Sequence, residues 1–101
     1  TPERRAEKLY HQAQTALSEG DINTAVALLQ AAIEENAEEP RYFNDLGVLF
    51  WQSGKQDMAY QLFRQALTLN AHYPEALENA HAAAQQLGKS NELSAWIAGL
   101  V

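Results

Sequence analysis

The chain has 101 residues, with 7 Lys+Arg against 13 Asp+Glu for a net charge of −6, 47% hydrophobic residues, 20% charged residues and no cysteine. That composition suits a folded domain and excludes a disulfide framework, a thiolate nucleophile and a thiolate metal site. Nucleic acid is disfavoured as a partner because clustered Lys and Arg are missing, and no apolar run approaches the ~18 residues of a membrane span.

The charge is uneven along the chain. Residues 1–39 carry 8 acids and 3 bases, residues 40–73 carry 2 and 3, and residues 74–101 carry 3 and 1. Solubility is the simpler reading of the acidic ends, with a partner-selecting patch as the alternative. The start TPERRAEK has no Met and no signal-like apolar region, so the sequence reads as a piece of a longer protein. The lack of cysteine does not fix the compartment, although it leans the reading toward the cytoplasm.

Six helices are predicted. The first starts soon after Pro2 and runs to about Ser18, with Leu9, Ala13, Ala16 and Leu17 as its apolar stripe and Gly20 ending it. Asp21 caps the second, whose stripe is Ile22, Ala25, Val26, Leu29, Ala32 and Ile33. Glu34, Glu35, Glu38 and Glu39 near its end read as a solvated rim. Pro40 opens the third helix, which runs to about Ser53; the fourth, from about Gln56 to Asn70, places Ala59, Leu62, Phe63, Ala66 and Leu67 on one face. Pro74 opens an alanine-rich fifth, and Gly88 ends it. Ser90 or Asn91 caps a sixth that runs through Leu93, Trp96, Ile97, Leu100 and Val101.

Shifting the sequence by 34 brings Gly20, Gly54 and Gly88 into register, together with Leu9, Phe43 and Leu77; Ala16, Phe50 and Ala84; Leu29, Phe63 and Ile97; and Pro40 with Pro74. The stretch from Pro40 to Ala71 has Leu46-Gly47, Phe50, a turn at Gly54, Ala59, Phe63 and Ala66, an order that resembles the 34-residue tetratricopeptide repeat. Phe43 stands for the family's Trp, Phe50 for its Tyr and Ala71 for its late Pro. The resemblance implies an all-α fold, an array of three antiparallel helical hairpins winding as a right-handed α-solenoid. It is one domain over residues 1–101, with repeats at about 6–39, 40–73 and 74–101. Gly47 asks for close packing of the paired helix, since glycine inside a helix costs ~1 kcal/mol relative to alanine. Ala13 stands in its place in the first repeat and His81 in the third, a departure that puts the third hairpin's packing in question.

Catalytic groupings are sparse. His11, His72 and His81 have no metal-ligand spacing around them, the Gly residues form no phosphate loop, and the Ser residues sit at helix ends, so no enzyme, metal or cofactor is expected. Surfaces remain. Arg41, Asn44, Asp45, Val48, Trp51 and Gln52 form a second stripe on the third helix, opposite the core stripe. The resemblance places this stripe in a concave groove, joined by Tyr10, Gln14 and Leu17 from the first hairpin and by Glu75, Glu78, Asn79, Ala82 and Gln85 from the third. Such a lining would bind a peptide or partner segment, with Tyr10 and Trp51 as anchors, Asn44 and Asn79 on its backbone, and Glu75 and Glu78 favouring basic side chains. Trp51 could equally pack between hairpins, as Leu17 is expected to do. The Lys, Arg and Asn clamp by which co-chaperone members of the family hold an acidic tail has no counterpart here. Two other readings stay open: homo-oligomer assembly through the last helix, at Trp96, Ile97, Leu100 and Val101, and service as a regulatory or substrate-binding repeat domain of a larger enzyme such as a glycosyltransferase.

Overall fold

The computed structural model describes residues 1–100 and contains six helices: α1 (Pro2–Ser18), α2 (Ile22–Glu35), α3 (Pro40–Gln52), α4 (Gln56–Leu69), α5 (Pro74–Leu87) and α6 (Ser90–Ala98). No strand occurs among the described residues. Three hairpins, α1–α2, α3–α4 and α5–α6, stack in chain order through α2 on α3 and α4 on α5.

Each hairpin turns on a glycine with positive φ, at 79° for Gly20, 82° for Gly54 and 71° for Gly88, a conformation in which a Cβ would be strained. After each turn the chain closes back on the helix it has left, with Asp21 N donating to Ala16 O, Lys55 N to Phe50 O and Lys89 N to Ala84 O. Between hairpins a second device recurs: Asn36 Oδ1 accepts from Glu38 N and Asn70 Oδ1 from His72 N, each at 3.1 Å. Asx turns of this kind hold the link into the proline that opens the next helix. Asp21 caps α2 as predicted, accepting from Thr24 N at 3.1 Å. The cap expected for α6 is absent, because Ser90 lies inside the helix and Lys89 precedes it without a side-chain bond.

The core follows the aligned positions, with Leu29, Phe63, Ala59, Leu67 and Leu93 almost wholly buried. In α1 the buried stripe is Ala6, Tyr10, Ala13 and Ala16, while Leu9 and Leu17 are only half-buried. The reason is positional. On α3 the residues equivalent to Lys8, Leu9 and Gln12 are Tyr42, Phe43 and Leu46, buried under the preceding hairpin. On α1 that face instead forms a shallow groove lined by Arg5, Lys8, Leu9, Gln12 and Glu35, and its polar side chains suit it to water.

His81 is exposed, while Ala80, Ala83 and Ala84 of α5 and Leu93 of α6 are buried. Ile97, which stands where Phe63 does in the second hairpin, stays half-buried. Helix α6 also ends earlier than predicted, at Ala98, and Val101 lies outside the described residues.

A polar cluster ties the first hairpin to the second. Glu7 accepts from the Tyr42 hydroxyl and from Arg41 Nη2, the latter at 2.6 Å, while Arg41 also reaches Glu39 at 3.0 Å and lies over the Tyr10 ring at 5.0 Å. Hydrogen bonding from Tyr42 first, and then from Arg41, holds the Glu7 carboxyl below the usual carboxylate range. A depressed acid stabilises the fold above its unfolded pKa, about 4.3, and that contribution disappears as pH falls through the folded value. Glu7→Gln is therefore expected to lower the urea midpoint at pH 6, with the gap to wild type closing below pH ~4.3. A gap that stays constant down to pH ~3 would show that the charge of Glu7 contributes nothing.

Candidate functional site

Helices α1, α3 and α5 lie side by side, and hydrogen bonds between residues 35 apart run across the row: Tyr42 to Glu7, Tyr10 to Asp45 and Asn79 to Asn44. The face they form has two unlike halves.

The half between α1 and α3 is filled by its own side chains. Tyr10 is buried and packs on Tyr42 with ring centroids 5.2 Å apart, and its hydroxyl donates to Asp45 Oδ2 at 2.7 Å. Burial, reinforced by Asp45, raises the Tyr10 pKa well above the ordinary tyrosine range, so the phenol stays protonated as a donor. Asn44 is only 4% exposed. Arg41 is held by Glu7 and Glu39. Gln14 is exposed and lies against His11 Nδ1 at 3.3 Å. Four residues that the sequence placed on the binding stripe, Tyr10, Arg41, Asn44 and Asp45, are thus engaged with one another or with neighbouring hairpins. The 34-residue alignment puts them on the right face but does not reveal that their partners lie one repeat away.

The other half is open. A cleft of about 130 Å³ lies between α3 and α5, lined by Val48, Trp51 and Gln52 on one side and by Asn79, Ala82 and Ala83 on the other, with Phe63 of α4 also exposed to it. Here the structure brings together Val48, Trp51 and Asn79 from the predicted binding set, with Gln52 and Ala82 of the same stripes. Trp51 is half-buried: it packs against the core and also lines the cleft. Leu17 packs against the core and does not reach the cleft. Glu75 and Glu78 are exposed on α5, outside the cleft lining.

Phe63 was legible only as a core residue, and Ala83 only as one alanine of an alanine-rich helix. Phe63 reaches the cleft because Gly47, having no side chain, leaves its ring space on α3; a Cβ on Gly47 would stand 2.6 Å from Phe63 Cε1. Tyr73 was missed altogether. Burial, together with Asp45 and Glu75, raises its pKa, which marks an acidic surround at the start of α5. Among the described residues no group of three or more His, Asp or Glu could hold a metal ion, and no helix is long and apolar enough to cross a membrane.

Stacked hairpins with a lined face between their first helices define a helical-repeat protein of the α-solenoid class. More narrowly, residues 40–73 match the model of the tetratricopeptide repeat family, and the fold of the chain is that of solved tetratricopeptide domains. The second such domain of Spaghetti (RPAP3), solved with the HSP90 peptide SRMEEVD, superposes with a TM-score of 0.83 at 18% identity, over 97% of this chain and 91% of that one. The Arabidopsis OM64 domain gives 0.82 at 19% identity, over 94% and 78%. The MamA protein gives 0.82 at 18% identity, over 99% of this chain and 58% of MamA. No curated protein sequence matches the chain.

Proposed function

We propose that the chain is a protein-interaction module that binds an extended peptide segment of a partner, with an apolar side chain of that segment seated in the cleft between α3 and α5. The observation that supports this is the composition of the cleft. Its walls are apolar at Val48, Trp51, Phe63, Ala82 and Ala83, and the polar groups among them are the two amides Gln52 and Asn79. Amides both donate and accept, as a peptide backbone requires, and a half-buried tryptophan is the side chain most suited to anchor a ligand. Glu75 and Glu78, exposed on α5 outside the cleft lining, favour a Lys or Arg in the ligand, and the cleft lining itself contains no Lys or Arg to hold an acidic tail.

Panning a random dodecapeptide phage library on the chain tests the reading. Selected peptides should bind roughly thirty-fold or more weakly to Trp51→Ala, provided its helicity is kept. Peptides that ignore Trp51, or a selection that enriches none, would place binding elsewhere. Assembly through α6 has less in its favour, since Trp96 already packs under the Arg64 guanidinium at 4.5 Å.

A further inference from the structure

The hydrogen bonds that cross the row of first helices form a chain with a fixed direction. A carboxylate only accepts, so Asp45 sets that direction. Its Oδ2 takes the Tyr10 hydroxyl at 2.7 Å, and its Oδ1 takes Asn44 Nδ2 at 3.4 Å, the longest link. With its NH₂ turned to Asp45, the buried Asn44 presents its carbonyl oxygen to α5, where Asn79 Nδ2 donates to it at 3.0 Å. Asn79 has then turned one N–H of its amide to Asn44, which fixes which end of the amide faces α3. Its own Oδ1 has no hydrogen-bond partner among the described residues, and Asn79 lines the cleft.

We infer that Asp45 and Asn44 are positioning residues that make Asn79 an acceptor, so that the cleft selects a ligand segment offering an N–H beside its apolar anchor. This rests on the cleft reading proposed above. The ligand group that meets the Asn79 oxygen is a backbone amide N–H or a cationic side chain. Neither Asp45 nor Asn44 touches the ligand. Their effect lies in which end of the Asn79 amide the ligand meets, a choice between two nearly isosteric arrangements.

Asp45→Asn releases the direction while keeping shape. An amide at 45 still accepts from Tyr10 and can also donate to the Asn44 oxygen, which lets Asn44 and Asn79 both reverse. The probe is a peptide selected on the wild-type chain together with its series of single backbone N-methyl variants. In the wild type at least one N-methylation should weaken binding about ten-fold, and in Asp45→Asn the same change should cost no more than about two- to three-fold. The Asn79 side-chain amide resonances report the reversal without ligand, one bonded proton in the wild type shifting in Asp45→Asn. If every N-methyl variant binds equally, or the penalty is the same in both proteins, the polarity inference is overturned while continued dependence on Trp51 leaves the cleft reading standing. Loss of that dependence would instead remove the cleft reading itself.

Discussion

Gly47→Ala is expected to destabilise the fold by about 1–2 kcal/mol, although alanine is the better helix former. A Cβ at this position would lie 2.6 Å from Phe63 Cε1, 2.8 Å from Cδ1 and 3.3 Å from the Ala59 carbonyl oxygen. The ring is only 3% exposed, so it has little space into which to retreat. Overpacking a close contact costs typically 1–3 kcal/mol, and the gain of ~1 kcal/mol in helix propensity offsets part of it. The first hairpin supplies the remedy, since there Ala13 stands in the position of Gly47 and Leu29 in that of Phe63. Phe63→Leu alone should also destabilise, through the cavity it leaves. Combined, the two changes should lose less than the sum of the singles by about 1 kcal/mol, because each relieves the fault of the other. Urea denaturation of the four proteins measures the cycle. A neutral or stabilising Gly47→Ala, or strict additivity, would mean that α3 and α4 can separate at no cost and that the glycine is not there for the ring.

How much of this was legible in the sequence depends on the distance over which a residue acts. Gly20, Gly54 and Gly88 act on their own turn, and their spacing gave three hairpins whose ends fall within one or two residues of those observed for α1 to α5. Val48, Trp51 and Asn79 act one helix face at a time, and periodicity placed them correctly on the first-helix row. Tyr10, Arg41, Asn44 and Asp45 were placed on the same row but are engaged there, because their partners sit 34 or 35 residues away and pair by chemistry rather than by stripe: phenol with carboxylate, guanidinium with carboxylate, amide with amide. Periodicity records direction around a helix and not the reach of a side chain into the next one. The floor of the cleft was hidden for a related reason, since Phe63 counts as core on α4 and becomes a lining residue only through the missing side chain of Gly47 on α3. The early stop of α6 at Ala98 was hidden as well, as Trp96, Ile97 and Leu100 continue an apolar pattern past the helix end.

That short last helix should detach on its own when its anchor is cut. Nine residues are too few for a stable helix in water, so α6 exists because it docks. Leu93 is its one buried residue, at 0% exposure, and Leu→Ala at such a site costs 2–5 kcal/mol. What remains is the partial burial of Trp96 and Ile97, Tyr60 donating to Glu92 at 2.8 Å and Arg64 lying over Trp96 at 4.5 Å. The polar links do not replace the lost burial: Glu92 is 54% exposed and 4.0 Å from Arg64 Nη1, and Arg64 Nε is already buried with no hydrogen-bond partner among the described residues. Stacked repeats depend on their nearest neighbours, so α1 to α5 should persist when α6 leaves. Leu93→Ala should therefore lose the ellipticity of one short helix and the hydrogen-exchange protection of residues 90–98. In a Trp51→Phe background its Trp96 emission should shift to the red. Helix α5 should stay in place, because α4 packs directly against it and shares more contact with it than α6 does. Peptide binding through the cleft should then survive the loss of α6 in a Trp51-containing Leu93→Ala chain. Collapse of all six helices in one transition would show instead that the array is too short for its repeats to melt separately, and that the wall formed by α5 depends on α6 after all.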